Sequence, residues 1–454
     1  MQETSGHSRH SRRSRLLLRA GIDFHVLATL LSRGWSLVAG ALTVLLVPFW
    51  LTTTEQGYYY TFFSLLGMQI LFELGLGQVI IQLVGHDAAE LRQADNGELH
   101  GEASRIDRLA SLTQLLRRWY ILAAALFAVV AGGAGGYFLT VKGQLPWDHW
   151  LPVWTVLVIA TSVNLSYVPT LALQEGLGRI GQVARLRLIQ SVVGYSALWL
   201  ALLGHLGLWA ACAVPIASVL LTGFWVKRFA RVHHWLRVRR VTPGNALNWA
   251  RDVLPFQWRI ALSAISGYFI FYAFTPLIFA NRGAAEAGRF GIAMTVFNAL
   301  AAIGASWVYA KTPQLAMHIA RGERSILNAL FVGLLRRSFL FTTGSALTVV
   351  AVVLLLEHFG LPQLQRISEP AVLLCLAIVC AANSVIFSVA AYMRAHKEEP
   401  MLAVSVVGAV MTALIAHFGS TYSVLVMSSG YALLTTLVLL PWSLILFIRF
   451  YRRP

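Results

Sequence analysis

A chain of 454 residues with 57% hydrophobic and only 12% charged side chains, and a mean hydropathy of +0.67, does not have water as its main solvent; a soluble protein carries roughly 25% charged residues. The formal net charge of +17 would suit a nucleic acid only with a soluble basic face or a base-stacking module, and the sequence shows neither. Cys212, Cys375 and Cys380 all fall inside apolar runs, and Cys375 and Cys380 point to different faces of one helix, so neither a disulfide nor a metal site is expected.

Residues 1–25 form a basic segment with Arg9, Arg12, Arg13, Arg15 and Arg19. Ser11-Arg12-Arg13 has the outline of a twin-arginine signal, but the apolar run after it is too long for a signal core and has no small-residue cleavage site. It reads as an uncleaved first span. Runs long enough to cross about 30 Å of hydrocarbon lie at 26–50, 57–84, 119–140, 150–173, 182–203 and 206–226. A second set lies at 257–280, 287–310, 338–356, 370–392, 401–417 and 423–448. The expectation is an all-α polytopic membrane protein with about twelve spans. Several tryptophans, among them Trp50, Trp119, Trp150, Trp225, Trp307 and Trp442, sit near the ends of these runs, as an interfacial aromatic belt requires.

Charge supports the same count. With the N-terminus inside, the clusters at 9–19, 92–118, 179–187, 227–259, 311–337 and 449–453, together with Arg394 and Lys397, all fall on the cytoplasmic side. Few basic residues remain outside: Lys142, Arg282, Arg289 and Arg366. Both termini are therefore expected in the cytoplasm. Residues 85–118 mix acids and arginines and read as a solvated connector or an amphipathic helix-loop. Residues 227–256, with Arg231, Arg237, Arg239 and Arg240, read as a linker between a lobe at 26–226 and a lobe at 257–454. Its amphipathic pattern, with Trp235 and Trp249, would also suit an anionic lipid surface.

The two lobes share landmarks in the same order. Arg33 precedes Pro48 much as Arg259 precedes Pro276; Gly57 and Gly288 follow, each at the start of the next helix; Asn164 and Asn383 come later at equal distances before a helix end. A parallel repeat of two bundles around one cavity is the geometry of an alternating-access carrier.

Ionisable residues inside the hydrocarbon normally face partners or a wet cavity. Counting about 1.5 Å per residue, Arg33 lies roughly 27 Å and Glu73 roughly 24 Å from the outer ends of adjacent antiparallel helices. They could form a buried ion pair that fixes register. Alternatively Arg33, with Arg259, would hold a phosphate or pyrophosphate by forked hydrogen bonds, and Glu73 would take up a proton or sodium ion. Arg259, near a helix start, could instead snorkel. Asn164 and Asn298 are mid-span amides that could bind substrate or join helices.

The stretches Leu31-Ser32-Arg33-Gly34-Trp35, Pro48-Phe49-Trp50-Leu51-Thr52, Glu55-Gln56-Gly57-Tyr58-Tyr59 and Phe72-Glu73-Leu74-Gly75-Leu76-Gly77 resemble the opening of bacterial polysaccharide-biosynthesis flippases. These are the Wzx-like O-antigen translocases of the MATE-like (MOP) transporter superfamily. The resemblance extends more loosely to Leu173-Gln174-Glu175-Gly176 and to the region from Ala287 to Pro313. It implies two six-helix lobes in a bacterial inner membrane and a carrier for an undecaprenyl-pyrophosphate-linked oligosaccharide. The driving force would be a proton or sodium gradient, with no cofactor. Partners would be membrane lipid, the lipid-linked glycan, and the polysaccharide polymerase and glycosyltransferases of the same pathway, with no nucleic acid. Few basic residues lie deep in the second lobe, which departs from what an anionic cargo would need there. The competing readings are a drug or cation antiporter of the same superfamily, a membrane glycosyltransferase or polysaccharide ligase, and a scaffold without transport. Short outer loops and the absence of a paired-carboxylate motif argue against the enzyme.

Overall fold

The computed structural model describes residues 24–93, 98–359, 365–396 and 400–451. In hydrocarbon every backbone N–H and C=O must be paired within its own segment, and the apolar runs accordingly form helices. Helix α1 is Phe24–Trp50. After it Thr52 and Glu55 make a reciprocal capping box, Glu55 N donating to Thr52 Oγ1 (3.2 Å) and Thr52 N to Glu55 Oε2 (2.9 Å), which starts α2 at Thr53–Leu66. The same traverse continues as α3 (Gln69–Glu73) and α4 (Leu76–Ala88), with a 42° bend between Thr53–Glu73 and Leu76–Ala88.

A two-stranded hairpin, β1 (Arg92–Gln93) and β2 (Leu99–His100), precedes α5 (Ala103–Val130). A π-helical turn at Ala131–Gly135 joins α5 to α6 (Gly136–Lys142). The first half is completed by α7 (Trp147–Gly176), α8 (Ile180–Leu203) and α9 (Ala213–Phe229). After the short helix α10 (Arg231–Val238) come α11 (Leu254–Phe271), α12 (Phe274–Arg282), α13 (Ala284–Ala320) and α14 (Arg324–His358). The chain ends with α15 (Pro370–Ala395), α16 (Leu402–Tyr422), α17 (Val424–Leu433), a second π-helical stretch and α18 (Leu440–Tyr451).

Among the described residues ten helices are long and apolar enough to cross a membrane, and the bent α2–α4 traverse, taken as one span, makes an eleventh. Helix α1, 27 residues long, spans about 40 Å at the usual helical rise. The protein is a multi-pass, all-α membrane protein. Within the first half α1 packs on α8, and α5 and α9 on α7; within the second α13, α14 and α15 pack together and α11 lies on α16.

Two expectations need correction. Residues 103–118 follow the amphipathic-helix reading and not the solvated connector: they are the first turns of α5, whose stripe Ile106, Leu109, Ala110, Leu112 and Leu116 is buried. The segment after α9 does not present its apolar face to lipid. Val232, His233 and Leu236 of α10 are buried, and His233 shares a small cavity with Leu112 and Leu116 of α5. Asp107 of α5 accepts from Arg239 Nε (3.0 Å), the Thr242 amide (3.3 Å) and Asn245 Nδ2 (3.3 Å). Gln114 donates to the carbonyls of Leu236 and Arg239. The basic linker is thereby fastened to the first half.

Candidate functional site between the two halves

The basic connectors lie at one end of the bundle, and the two halves meet differently at its two ends. At the end opposite the basic connectors α2 crosses α13 at backbone contact. A Cβ on Gly57 would sit 1.9 Å from the Ala284 carbonyl oxygen, and one on Gly288 would sit 2.8 Å from the Gly57 nitrogen. These two glycines, which follow the prolines in the same order in the two lobes of the sequence, touch each other across the seam. The Phe279 ring of α12 packs edge-on against Tyr58 at 5.0 Å, while the Tyr58 hydroxyl accepts from the amides of Gln144 (2.9 Å) and Leu145 (3.0 Å). From the loop before α15, Arg366 reaches over and donates to the carbonyls of Pro48 and Leu51 at the end of α1. Gln56 Nε2 answers by donating to the Arg366 carbonyl (3.1 Å). Those α1 carbonyls lie in its last turn, where intrahelical donors run out, and a guanidinium is a strong substitute.

Below this crossing the seam opens. Residues 284, 288 and 291 of α13 face α2, and the same helical face continues through Thr295, Asn298, Ala302, Ser306 and Tyr309. Thr295, Ala302, Ser306 and Tyr309 are exposed and Asn298 is half-buried. The interlobe surface of α13 is therefore shut at the end away from the basic connectors and accessible toward them.

On the other side of the seam the halves remain joined at a helix break. Leu74 (φ +54°) and Gly75 (φ +65°) are both left-handed, a conformation that costs a leucine about 1–2 kcal/mol. The turn packs against α11, where a Cβ on Gly75 would lie 2.6 Å from Ile260 Cγ2. Gln257 of α11 donates Nε2 to the Leu74 carbonyl at 2.5 Å. Glu73 immediately precedes the break, half-buried, with its carboxylate against the Gly77 amide. Gly75 offers α4 no side-chain cap, and the carboxylate takes that place at the positive end of the helix. Tyr120 of α5 is fully buried, its hydroxyl without a partner among the described residues, close enough to feel the Glu73 charge.

The residues singled out from sequence are distributed as follows. The side chain of Arg33 lies outside the described residues, so the pairing of Arg33 with Glu73 does too. Arg259 is exposed and its guanidinium lies over the Trp258 ring at 5.3 Å. It stands about 200° around α11 from Gln257, away from the seam that Gln257 and Ile260 face. Asn164 is engaged within the first half: its Nδ2 donates to the Pro215 carbonyl (3.3 Å) and its Oδ1 accepts from Ser218 (3.0 Å), joining α7 to α9. Asn298 faces the open seam, and its amide makes no hydrogen bond among the described residues. Sequence reasoning missed Gln257 and Tyr120 and gave Arg366 no role beyond a charge in an outer loop.

No family model matches the sequence, and no curated protein does. Solved structures do match over nearly the whole chain. An inward-facing multidrug-resistance MATE transporter of the MOP superfamily superimposes with a TM-score of 0.66 at 13% identity, covering 93% of this chain and 94% of that one. The lipid II flippase MurJ in an inward closed conformation gives 0.63 at 10% identity over 94% and 88%. A MOP-superfamily transporter from Pyrococcus furiosus, described as having a binding pocket of reverse polarity, gives 0.54 at 13% over 95% and 96%. These superpositions show a fold shared with the MOP-superfamily transporters.

Proposed function

We propose that this protein is a flippase that moves an undecaprenyl-pyrophosphate-linked oligosaccharide across a bacterial inner membrane by ion-coupled alternating access. The observation that carries the reading is the asymmetric seam: glycine-tight at one end, accessible along α13 toward the basic end. With the basic connectors in the cytoplasm, the seam faces the cytoplasm along α13 while the α4–α11 contact still holds the halves together on its other side. A net charge of +17 and a guanidinium in the first span suit an anionic headgroup more than a lipophilic cation. In this reading Arg33 holds the pyrophosphate, Asn298 offers its amide to the cargo from the second half, and Arg259 draws the headgroup in from the basic rim. Glu73 takes up the coupling proton or sodium ion.

Arg33→Ala is expected to abolish surface-polysaccharide display in cells while the protein accumulates and inserts normally; full display would overturn the substrate-binding role. A second reading, a MATE-like cation antiporter, is favoured by the likeness to the inward-facing multidrug transporter. It predicts accelerated efflux of a lipophilic dye, with no effect on display when the gene is deleted.

A further inference from the structure

We propose that Gln257 is a positioning residue that passes the charge state of Glu73 to the opposite half of the protein. The inference rests on the reading of Glu73 as the coupling site. Three features of the break carry it. The Gln257 side chain is buried, and its Nε2–Leu74 bond ties α11 of the second half to the turn right after Glu73. Gln257 Oε1 has no partner among the described residues, so the amide is held in this orientation by the Leu74 carbonyl. The turn itself is strained, with a leucine and a glycine in succession in the left-handed region, and it persists only while its surroundings hold it.

Glu73 is one of those surroundings. While ionised, it caps the start of α4 through the Gly77 amide and fixes where the Leu74 carbonyl points. A proton or sodium ion taken from the aqueous phase by the carboxylate removes the negative charge from the helix start. The cap weakens, the strained turn relaxes, and the Leu74 carbonyl leaves Gln257. The α11 contact with α4 is then released, and the two halves part at the basic end. Among the described residues, Tyr120 of α5 lies close enough to Glu73 to feel its charge, Val168 of α7 lies by Gly77, and Gln257 and Ile260 of α11 contact the Leu74–Gly75 turn.

The test is the distance between spin labels at Ala89→Cys and Ser325→Cys, exposed positions of the two halves at the basic end. It is measured on the full chain in lipid nanodiscs after Cys212→Ala, Cys375→Ala and Cys380→Ala, across pH 5 to 8 and with and without sodium. The wild type is expected to shift from a short to a long distance on acidification or sodium addition. Gln257→Leu should favour the long distance by about tenfold under all conditions, about 1.4 kcal/mol and the size of one hydrogen bond. Gln257→Glu should recover the short distance only at pH values where its own carboxyl keeps a proton to donate while Glu73 is still ionised, a conditional rescue that packing alone cannot produce. A wild-type response in Gln257→Leu, with the response lost in Glu73→Gln, overturns the relay alone. A wild-type response in Glu73→Gln, or none in the wild type, overturns the coupling role of Glu73 and the relay with it.

Discussion

Replacing Gly57 by alanine puts the closed end of the seam under a defined stress. The new Cβ would lie 1.9 Å from the Ala284 carbonyl oxygen and 2.4 Å from its carbon. Ordinary C···O contact needs about 3.3 Å, so α2 and α13 would have to separate by about 1.4 Å. No rotamer relieves the clash, because both partners are backbone. Overpacking of this kind costs roughly 1–3 kcal/mol, and here the cost falls on the closed state alone. The ratio of closed to open should drop by about 5- to 150-fold. Spin labels at Leu206→Cys and Tyr422→Cys, exposed positions of the two halves at this end, report the separation. Gly57→Ala and Gly288→Ala should both lengthen the distance, whereas Gly333→Ala, where a Cβ meets nothing within 4 Å, should leave it unchanged. A wild-type distance in Gly57→Ala would refute the crossing as the closed contact.

Three further outcomes are expected. Arg366→Gln removes the donor to Pro48 and Leu51 and should raise maleimide labelling of a cysteine at position 51, which is buried at the clasp, severalfold; unchanged labelling would mean the clasp is idle. Asp107→Ala leaves Arg239, the Thr242 amide and Asn245 without their acceptor and should weaken linker docking by about 2–3 kcal/mol, read as faster hydrogen exchange over 236–247. Burial pushes the His233 imidazole down to about 4, from an ordinary 6.5. A base whose bound value is depressed binds more protons when released, so α10 docking should be complete above about 6.5 and weaken progressively down to about 4. Hydrogen exchange over 231–238 should show that window, and His233→Phe should abolish it.

Much of the architecture was legible because hydrocarbon leaves few solutions: long apolar runs and the one-sided placement of arginine mark the spans. What escaped has physical reasons. The charges at 105, 107 and 108 depress hydropathy, so the apolar run of the third span is legible only from Trp119, yet Asp107 is buried by its linker partners and the helix begins at Ala103. Gly75 hinted at a break, but nothing in the sequence marks Leu74 as left-handed; the contact with α11 imposes it. Gln257 carries no charge and sits at the edge of an apolar run, so it drew no notice, and its partner is distant in the chain. The paired Gly57 and Gly288 were visible as repeat landmarks. That they meet each other is a property of the assembled halves.

The most direct measurement is translocation in proteoliposomes containing the purified chain and an undecaprenyl-pyrophosphate-linked oligosaccharide, scored by access of an impermeant glycosidase to the glycan. Glycan should become accessible at a rate that depends on the protein and on a proton or sodium gradient, and Arg33→Ala should reduce it to the protein-free level. Protein-dependent movement of a lipophilic cation, with the glycan left where it was loaded, would contradict the account.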